Sequence, residues 1–349
     1  MNDTGPYTPV RKQLGAIRGK RVSATVDRLV EMDLLAADRP LPLVVRPALA
    51  GVDLVAWCGE HRALVEEKLA VHGGILFRGF DSVRTPADLE RAVAALSGDL
   101  LAYRYRSTPR SEVEGKIYTS TEYPADQSIP PHNEMAYSRS WPMKIWFFCA
   151  KAAERGGETP IADSRRVHQG IDPGIRAAFR DQGVMYVRNY GGGIDLPWQT
   201  VFQTEDRAEV EAFCRQAGID LEWLDGGRLR TRQVCQGVAQ HPRTGDPVWF
   251  NQAHLFHVSA LAPEVRASLL KAFREDELPR NAYFGDGSPI PVEMLDAVRA
   301  VYARELVVYP WQEGDLLLLD NMLTAHARQP FEGPRRILVG MAEPAGETA

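Results

Sequence analysis

Residues 304–343 read RELVVYPWQEGDLLLLDNMLTAHARQPFEGPRRILVGMAE. Three apolar runs stand in this stretch, Leu306–Tyr309, Leu316–Leu319 and Ile337–Met341, and Gly, Asp and Pro residues separate them. Each run is too short for a stable helix and is bounded by turn formers, so each reads as a buried strand. Working outward, similar signals recur. HGGILFRGF, residues 72–80, leads from glycines into a short apolar run that ends at a turn. WPMKIWFFCAKAA, residues 141–153, contains the clearest buried strand, and RGGETPIAD follows it as a turn and a further short strand. KIYTSTEY alternates and reads as strand or strand-like loop. Strands therefore cluster at about 72–80, 115–162, 183–190, 246–252 and 305–343.

Helical spacing marks 46–70, 85–97, 164–182, 205–217 and 262–275. The second of these opens on Thr-Pro, a sound helix start. The regular strand–helix alternation of a doubly wound sheet is missing. A dinucleotide fingerprint is missing too: Gly191–Gly193 has neither the GxGxxG spacing nor a helix behind it, and reads as a flexible loop. The class that fits is mostly β, an antiparallel barrel or jelly roll with flanking helices.

The chain has 349 residues, 41 Lys+Arg against 46 Asp+Glu, and a formal net charge of −5. With 44% hydrophobic and 25% charged residues it matches ordinary globular domains, not collagen, a coiled coil or a disordered chain. The mildly acidic balance argues against a nucleic-acid partner held by a basic surface. No apolar stretch approaches the roughly 18 residues of a membrane span. The N-terminus, MNDTGPYTPVRKQLGAIRGKRV, lacks an apolar signal core and reads as an arm over residues 1–45. Cys58, Cys149, Cys214 and Cys235 form no CxxC pair, and a reduced, cytoplasmic enzyme is expected. The length exceeds the roughly 250 residues at which single cores stop growing. We expect one domain over 46–349 with a large insertion at about 164–305.

The sharpest chemical feature is Pro130-Pro131-His132-Asn133-Glu134. His132 and Glu134 are two apart, so on an extended strand they share a face. Together they are two legs of a metal site that needs a third, and His326, just after the buried run LLLLDN, is the best candidate. Two histidines and one carboxylate with open positions form the ligand set of non-haem Fe(II) oxygenases. Ten residues beyond His326 comes Arg336, with Arg335 beside it. A planar guanidinium on an inward-facing strand suits the bidentate grip of a dicarboxylate such as 2-oxoglutarate. One of the two arginines is expected to be a solvated turn residue.

HNE at 132–134, GGETPIAD at 156–163 and HARQPFEGPRR at 326–336 together resemble the TauD/TfdA family of Fe(II)/2-oxoglutarate oxygenases. HGGILFRGF is similar to that family's N-terminal signature, and the match runs from about residue 72 to 345. HNEMAYSRSWPMKIWFFC looks most like the SyrP-like branch, near clavaminate synthase-type enzymes, which includes amino-acid hydroxylases of peptide biosynthesis. The resemblance implies a double-stranded β-helix (jelly-roll, cupin-like) core with a helical insertion. It makes His132, Glu134 and His326 the Fe(II) ligands, Thr159 a partner of a 2-oxoglutarate carboxylate, and Arg336 the grip on its distal carboxylate. O2 completes the chemistry: the co-substrate is decarboxylated to succinate while an unactivated C–H is hydroxylated. The family's commoner ligand is Asp where this chain has Glu134. Keeping a carboxylate at that position argues against halogenation, because no ligand position is vacated for chloride. Taurine dioxygenases place a sulfonate-gripping arginine four residues past the co-substrate arginine. Gly340 stands there in this chain, which argues against taurine.

Other signals are weaker. His254 and His257, three apart, read as structural or supporting histidines and not as a second metal pair. His241 and His168, flanked by turn residues, read as surface residues. Trp146, Phe147 and Phe148 build core. Asn251 and Gln252 follow an apolar run and are candidates to read polar groups on a substrate. RNAYFGDGSPIP, residues 280–291, reads as a lid or an exposed connector, with Asp286 as a candidate partner for a substrate amino group. The expected activity is hydroxylation of an amino acid or an aminoacyl group carried on a peptidyl carrier protein, in specialised peptide metabolism. A 2-oxoglutarate-dependent desaturase and a non-catalytic metal-binding jelly roll are the alternatives.

Overall fold

The computed structural model describes residues 29–37, 39–101, 112–114, 116–119, 123–191 and 196–346. The apolar runs lack alternation because the strands they form are covered on both faces. Among the described residues, eight strands form one sheet in the order Val30–Ala36, Arg39–Pro47, Gly74–Phe77, Leu316–Asp320, Ser140–Lys151, Arg336–Gly346, Ile117–Thr119 and Glu112–Glu114. Arg39–Pro47 and Gly74–Phe77 pair parallel; the other neighbours pair antiparallel. The register sets Leu318 opposite Trp146 on one side and Ile75 on the other.

Successive side chains leave a strand on opposite faces. Trp146, Phe148, Leu316, Leu318 and Leu338 meet the helices Leu54–Glu60, Arg62–His72 and Pro86–Ser97 through Trp57, Leu69, Leu89 and Val93. Gly340 lies on this face, where an added Cβ would come within 2.9 Å of Leu100 Cδ2. Ile145, Phe147, Leu317, Leu319, Ile337 and Val339 face the other way, into a core shared with Ile161. Ile161 belongs to a second sheet of three strands, Ile129–His132, Thr324–Arg328 and Ile161–Asp163. Two sheets around this core make the expected double-stranded β-helix, with helices packed outside it.

Between 164 and 305 the chain leaves these two sheets. Helices including Pro173–Gln182, Arg207–Gln216 and Val292–Glu305 pack with a four-stranded sheet ordered Asp220–Trp223, Leu229–Cys235, Val184–Tyr190 and Arg280–Phe284. Its core, with Phe179, Tyr186, Trp249 and Tyr302, also takes in Tyr137 and, from the second sheet itself, Ala162 and Ala325. No helix among the described residues is long and apolar enough to cross a membrane.

Several local expectations change. Residues 30–45 are not part of an arm: Leu43, Val44 and Val45 are buried, and they pair with Ile75, Leu76 and Phe77. Residues 1–28 lie outside the described residues. The helix expected over 46–70 breaks at His61 into two, the first capped by the Asp53 carboxylate on the N–H groups of Val55 and Ala56. Leu306–Tyr309 contributes one bridge, Val307 to Ile161, and no strand. Much of 101–124, including part of KIYTSTEY, and two of the three glycines at 191–193 lie outside the described residues.

The arginine of HGGILFRGF has a structural task. Arg78 Nε and Nη2 bind Asp315 Oδ1 and Oδ2 at 2.9 and 2.6 Å, and Nη2 also donates to Pro310 O. This buried fork ties the end of one central strand to the turn that launches the next. Arg78→Met leaves the Asp315 charge buried without its counter-ion and should cost about 3–5 kcal/mol. A lowered urea midpoint with an unchanged slope is the expected result. Arg78→Met combined with Asp315→Leu should recover much of the loss, and a wild-type midpoint for the single variant would refute the assignment.

Candidate metal centre

Strand pairing brings the two histidines together. His326, in Thr324–Arg328, lies opposite His132 on one side and Ile161 on the other. The two imidazole centroids are 4.4 Å apart. His132 Nδ1 lies 2.8 Å from Pro130 O, so its hydrogen belongs on Nδ1 and the Nε2 lone pair is left for a metal. Glu134 reaches the site differently from the same-face strand expected. The strand ends at His132, the chain turns, and Met135 takes a positive φ of 56°. Glu134 Oε2 then lies 4.0 Å from His326 Nε2. Ligand atoms of all three residues fall within 4.8 Å of one another. Donors at roughly 2.0–2.2 Å from a common ion lie about 3 Å apart when they share one face of it, so small side-chain rotations would close this triad on an ion. Donor types and the His132 tautomer fit a metal bound by one face of the set, with the other positions open.

A residue that sequence reasoning missed holds this turn. Asn321 Oδ1 accepts the Glu134 N–H at 2.7 Å, and Asn321 Nδ2 donates to Glu134 O and Pro142 O at 2.9 and 2.8 Å. Asn133 Nδ2 returns a bond to Asn321 O at 2.6 Å and another to Ser164 Oγ. Asn321 is placed by Asp320, whose Oδ1 accepts the N–H groups of Met322 and Leu323. The Asp-Asn pair at the end of LLLLDN thus positions Glu134 while leading into the strand of His326. A polar pair directly after an unbroken apolar run was the available signal.

A pocket opens beside the histidines, lined by Phe147, Thr159, Arg328, Arg335, Ile337 and Val339 among others. Thr159 is buried and its Oγ1 accepts from Trp311 Nε1 at 3.0 Å, which leaves the hydroxyl hydrogen to donate into the pocket. The arginine here is Arg335, not Arg336. Arg335, Ile337 and Val339 all line the pocket, and Arg336 is exposed. Burial, and then the charge of Arg328, push the Arg335 pKa down to about 10. An anion entering the pocket relieves both effects. Arg328 is buried and donates to the carbonyls of Tyr123, Pro124 and Gln127, fastening the segment that leads into the first ligand strand. Counting from Arg335, the sulfonate position is Val339, still without a charge.

Other candidates stand elsewhere. Asn251 is buried with its amide taken up locally: Nδ2 donates to Gly237 O and Oδ1 accepts from Ala253 N. Gln252 donates to Asn133 O at 2.7 Å. Asp286 is exposed, accepts from the N–H and hydroxyl of Ser288, and is not among the residues lining the pocket beside the histidines. In its segment Arg280–Phe284 is a strand paired with Val184–Tyr190, and Tyr283 bridges to Pro289. His241 is buried, not on the surface, with Nε2 donating to Asp320 Oδ2 at 3.0 Å and Nδ1 accepting from Thr244 N. His254 and His257 do not pair on a metal; burial lowers both to a pKa of about 4, so they are neutral. His254 Nε2 lies 2.9 Å from Pro131 O and His257 Nδ1 lies 2.8 Å from Ser259 Oγ. Phe147 packs in the core as expected, with its ring 5.0 Å from that of His326.

A match to the family described as taurine catabolism dioxygenase TauD, TfdA family spans residues 37–342. The chain belongs to the TauD/TfdA family. It is therefore a dioxygenase, with Fe(II), 2-oxoglutarate and O2 as its cofactor and co-substrates. Dapdiamide synthesis protein DdaC of Enterobacter agglomerans is 44% identical over 285 residues, covering 82% of this chain and 86% of the relative. A clavaminate synthase-like protein of Arabidopsis thaliana is 31% identical over 328 residues, covering 87% and 94%. Among solved structures, the PvcB protein of Pseudomonas aeruginosa superposes with a TM-score of 0.57 at 16% identity, over 93% of this chain and 95% of PvcB. That last likeness is one of fold.

Proposed function

We propose that this TauD/TfdA dioxygenase holds Fe(II) on His132, Glu134 and His326 and binds 2-oxoglutarate between Thr159 and Arg335, to hydroxylate an amino acid or a carrier-bound aminoacyl group. The observation that carries the reading is a triad of His132, Glu134 and His326 within 4.8 Å, beside a pocket lined by Thr159 and Arg335. Bound iron and 2-oxoglutarate supply the oxidising power, which yields succinate, CO2 and an oxidised substrate. The chain supplies position. Arg335 presents a fork to the distal carboxylate, and the Thr159 hydroxyl donates to a carboxylate oxygen. Phe147, Ile337 and Val339 form an apolar wall that keeps water from the co-substrate. With Val339 at the sulfonate position, nothing there grips a second strong anion.

The substrate class rests on the 44% identity to a dapdiamide synthesis protein, which points to peptide natural-product metabolism. The insertion at 164–305 is the segment we assign to the substrate side. A cytoplasmic setting agrees with four buried cysteines, none in a disulfide. A succinate-release screen over free amino acids and then over aminoacyl carrier proteins tests the substrate class. Release above the substrate-free background with one member of either set, and a product 16 Da heavier by mass spectrometry, is the expected result. A product 2 Da lighter would make the enzyme a desaturase, and no stimulation by any member would overturn the amino-acid class.

A further inference from the structure

We propose that Gln252 and His254 are positioning residues that hold iron ligand His132 by the backbone carbonyls on either side of it, the proposal resting on the metal centre assigned above. The ligand loop begins Pro130-Pro131, and neither proline has an N–H with which to anchor itself. Carbonyl oxygens are the handles that remain at these two positions. Pro130 O is already taken by His132 Nδ1. His254 Nε2 lies 2.9 Å from Pro131 O, and Gln252 Nε2 donates to Asn133 O at 2.7 Å. The two donors thus bracket His132 from a segment more than a hundred residues away in the sequence.

That segment is itself held rigid. The Gln252 N–H donates to Tyr186 Oη at 2.7 Å, and Arg299 Nε and Nη2 both donate to His254 O, at 3.1 and 2.7 Å. The His254 ring lies against Tyr302, with centroids 4.8 Å apart. Arg299 and Tyr302 belong to the same helix, Val292–Glu305. His254 is buried, and its Nδ1 has no hydrogen-bond partner. As a neutral ring it carries one hydrogen, and Pro131 O fixes that hydrogen on Nε2. The inserted segment therefore reaches into the barrel and sets the height of the first ligand, where displacement of a fraction of an ångström matters.

Co(II) is the probe, titrated into the full-length protein and followed by its visible d–d band. His254→Leu and Gln252→Leu each remove one donor; His254→Gln keeps an amide N–H that reaches toward Pro131 O. The leucine variants should bind Co(II) roughly 10–100-fold more weakly, the range for residues that support a metal ligand, with a shifted band. His254→Gln should restore most of the affinity and the wild-type band. Leucine variants with wild-type affinity and band would overturn the proposal. So would His254→Gln behaving like His254→Leu, which would make the residue packing alone. Should His254→Leu fail to fold by circular dichroism, Gln252→Leu decides by the same criterion. Absence of Co(II) binding in the wild type, or binding that survives His326→Ala, sinks the metal centre and the clamp with it. Normal wild-type binding with unaffected leucine variants sinks the clamp only.

Discussion

His326→Ala should lose measurable Fe(II) binding and all 2-oxoglutarate turnover. His326 stands in the middle strand of the smaller sheet, with His132 and Ile161 paired on either side. Removing its imidazole leaves one histidine and one carboxylate, too few to hold a hard divalent ion against water. The loss should exceed the roughly 100-fold upper end for residues that only support a ligand. The fold should survive, because backbone pairing is untouched and the neighbours at 325 and 327 are already alanines. Anaerobic addition of Fe(II) and 2-oxoglutarate gives the visible charge-transfer band of the chelate in the wild type, and that band should be absent in the variant. A variant that keeps the band would remove His326 from the ligand set.

Arg335→Ala and Arg336→Ala should separate cleanly. Arg335 lines the pocket, is half-buried, and has its pKa depressed to about 10 by burial and by Arg328. A bound carboxylate would pair with it, so truncation forfeits a partly desolvated charge pair. About 3 kcal/mol, or roughly a 10²-fold rise in KM for 2-oxoglutarate, is expected. Fe(II) affinity should be unchanged, since the residue does not reach the ligands' own hydrogen bonds. Arg336 is exposed, and its alanine variant should stay within about two-fold of wild type, as surface substitutions usually do. The reverse outcome, with Arg336→Ala raising KM and Arg335→Ala silent, would restore the role to Arg336.

Why the neighbouring arginine looked right is instructive. Two adjacent basic residues at a strand entrance are told apart only by which face each takes, and the pairing is irregular between Arg336 and Ile337. No count along the chain shows that irregularity. The proposed metal triad was legible because its parts carry local marks: an imidazole and a carboxylate two apart, and a histidine five residues past the run LLLLDN. Asn321 carries no such mark, and the marks on Gln252 and His254 do not show what these residues hold. Each acts on a backbone carbonyl more than a hundred residues away, and a carbonyl has no letter in a sequence. His241 looked superficial because Pro242, Thr244 and Gly245 surround it, yet that turn lies folded inward so that the ring reaches Asp320. The strand Arg39–Pro47 hid behind its prolines, since what makes it a strand is parallel pairing to Gly74–Phe77, a contact across intervening helices.

The pairing of His326 with His132 has a consequence for how the protein comes to be active. Side chains alternate along a strand, so a one-residue slip of Thr324–Arg328 against its neighbours would turn His326 to the opposite face. Such a molecule would keep most of its hydrogen-bonded ladder and lose the triad entirely. A metal held by these three side chains would therefore discriminate among chains by strand alignment. It would bind those in which the two histidines face each other and, by mass action, draw the population toward that alignment. Supply of the ion during folding would then be a form of proofreading, exerted on a backbone register through three side chains.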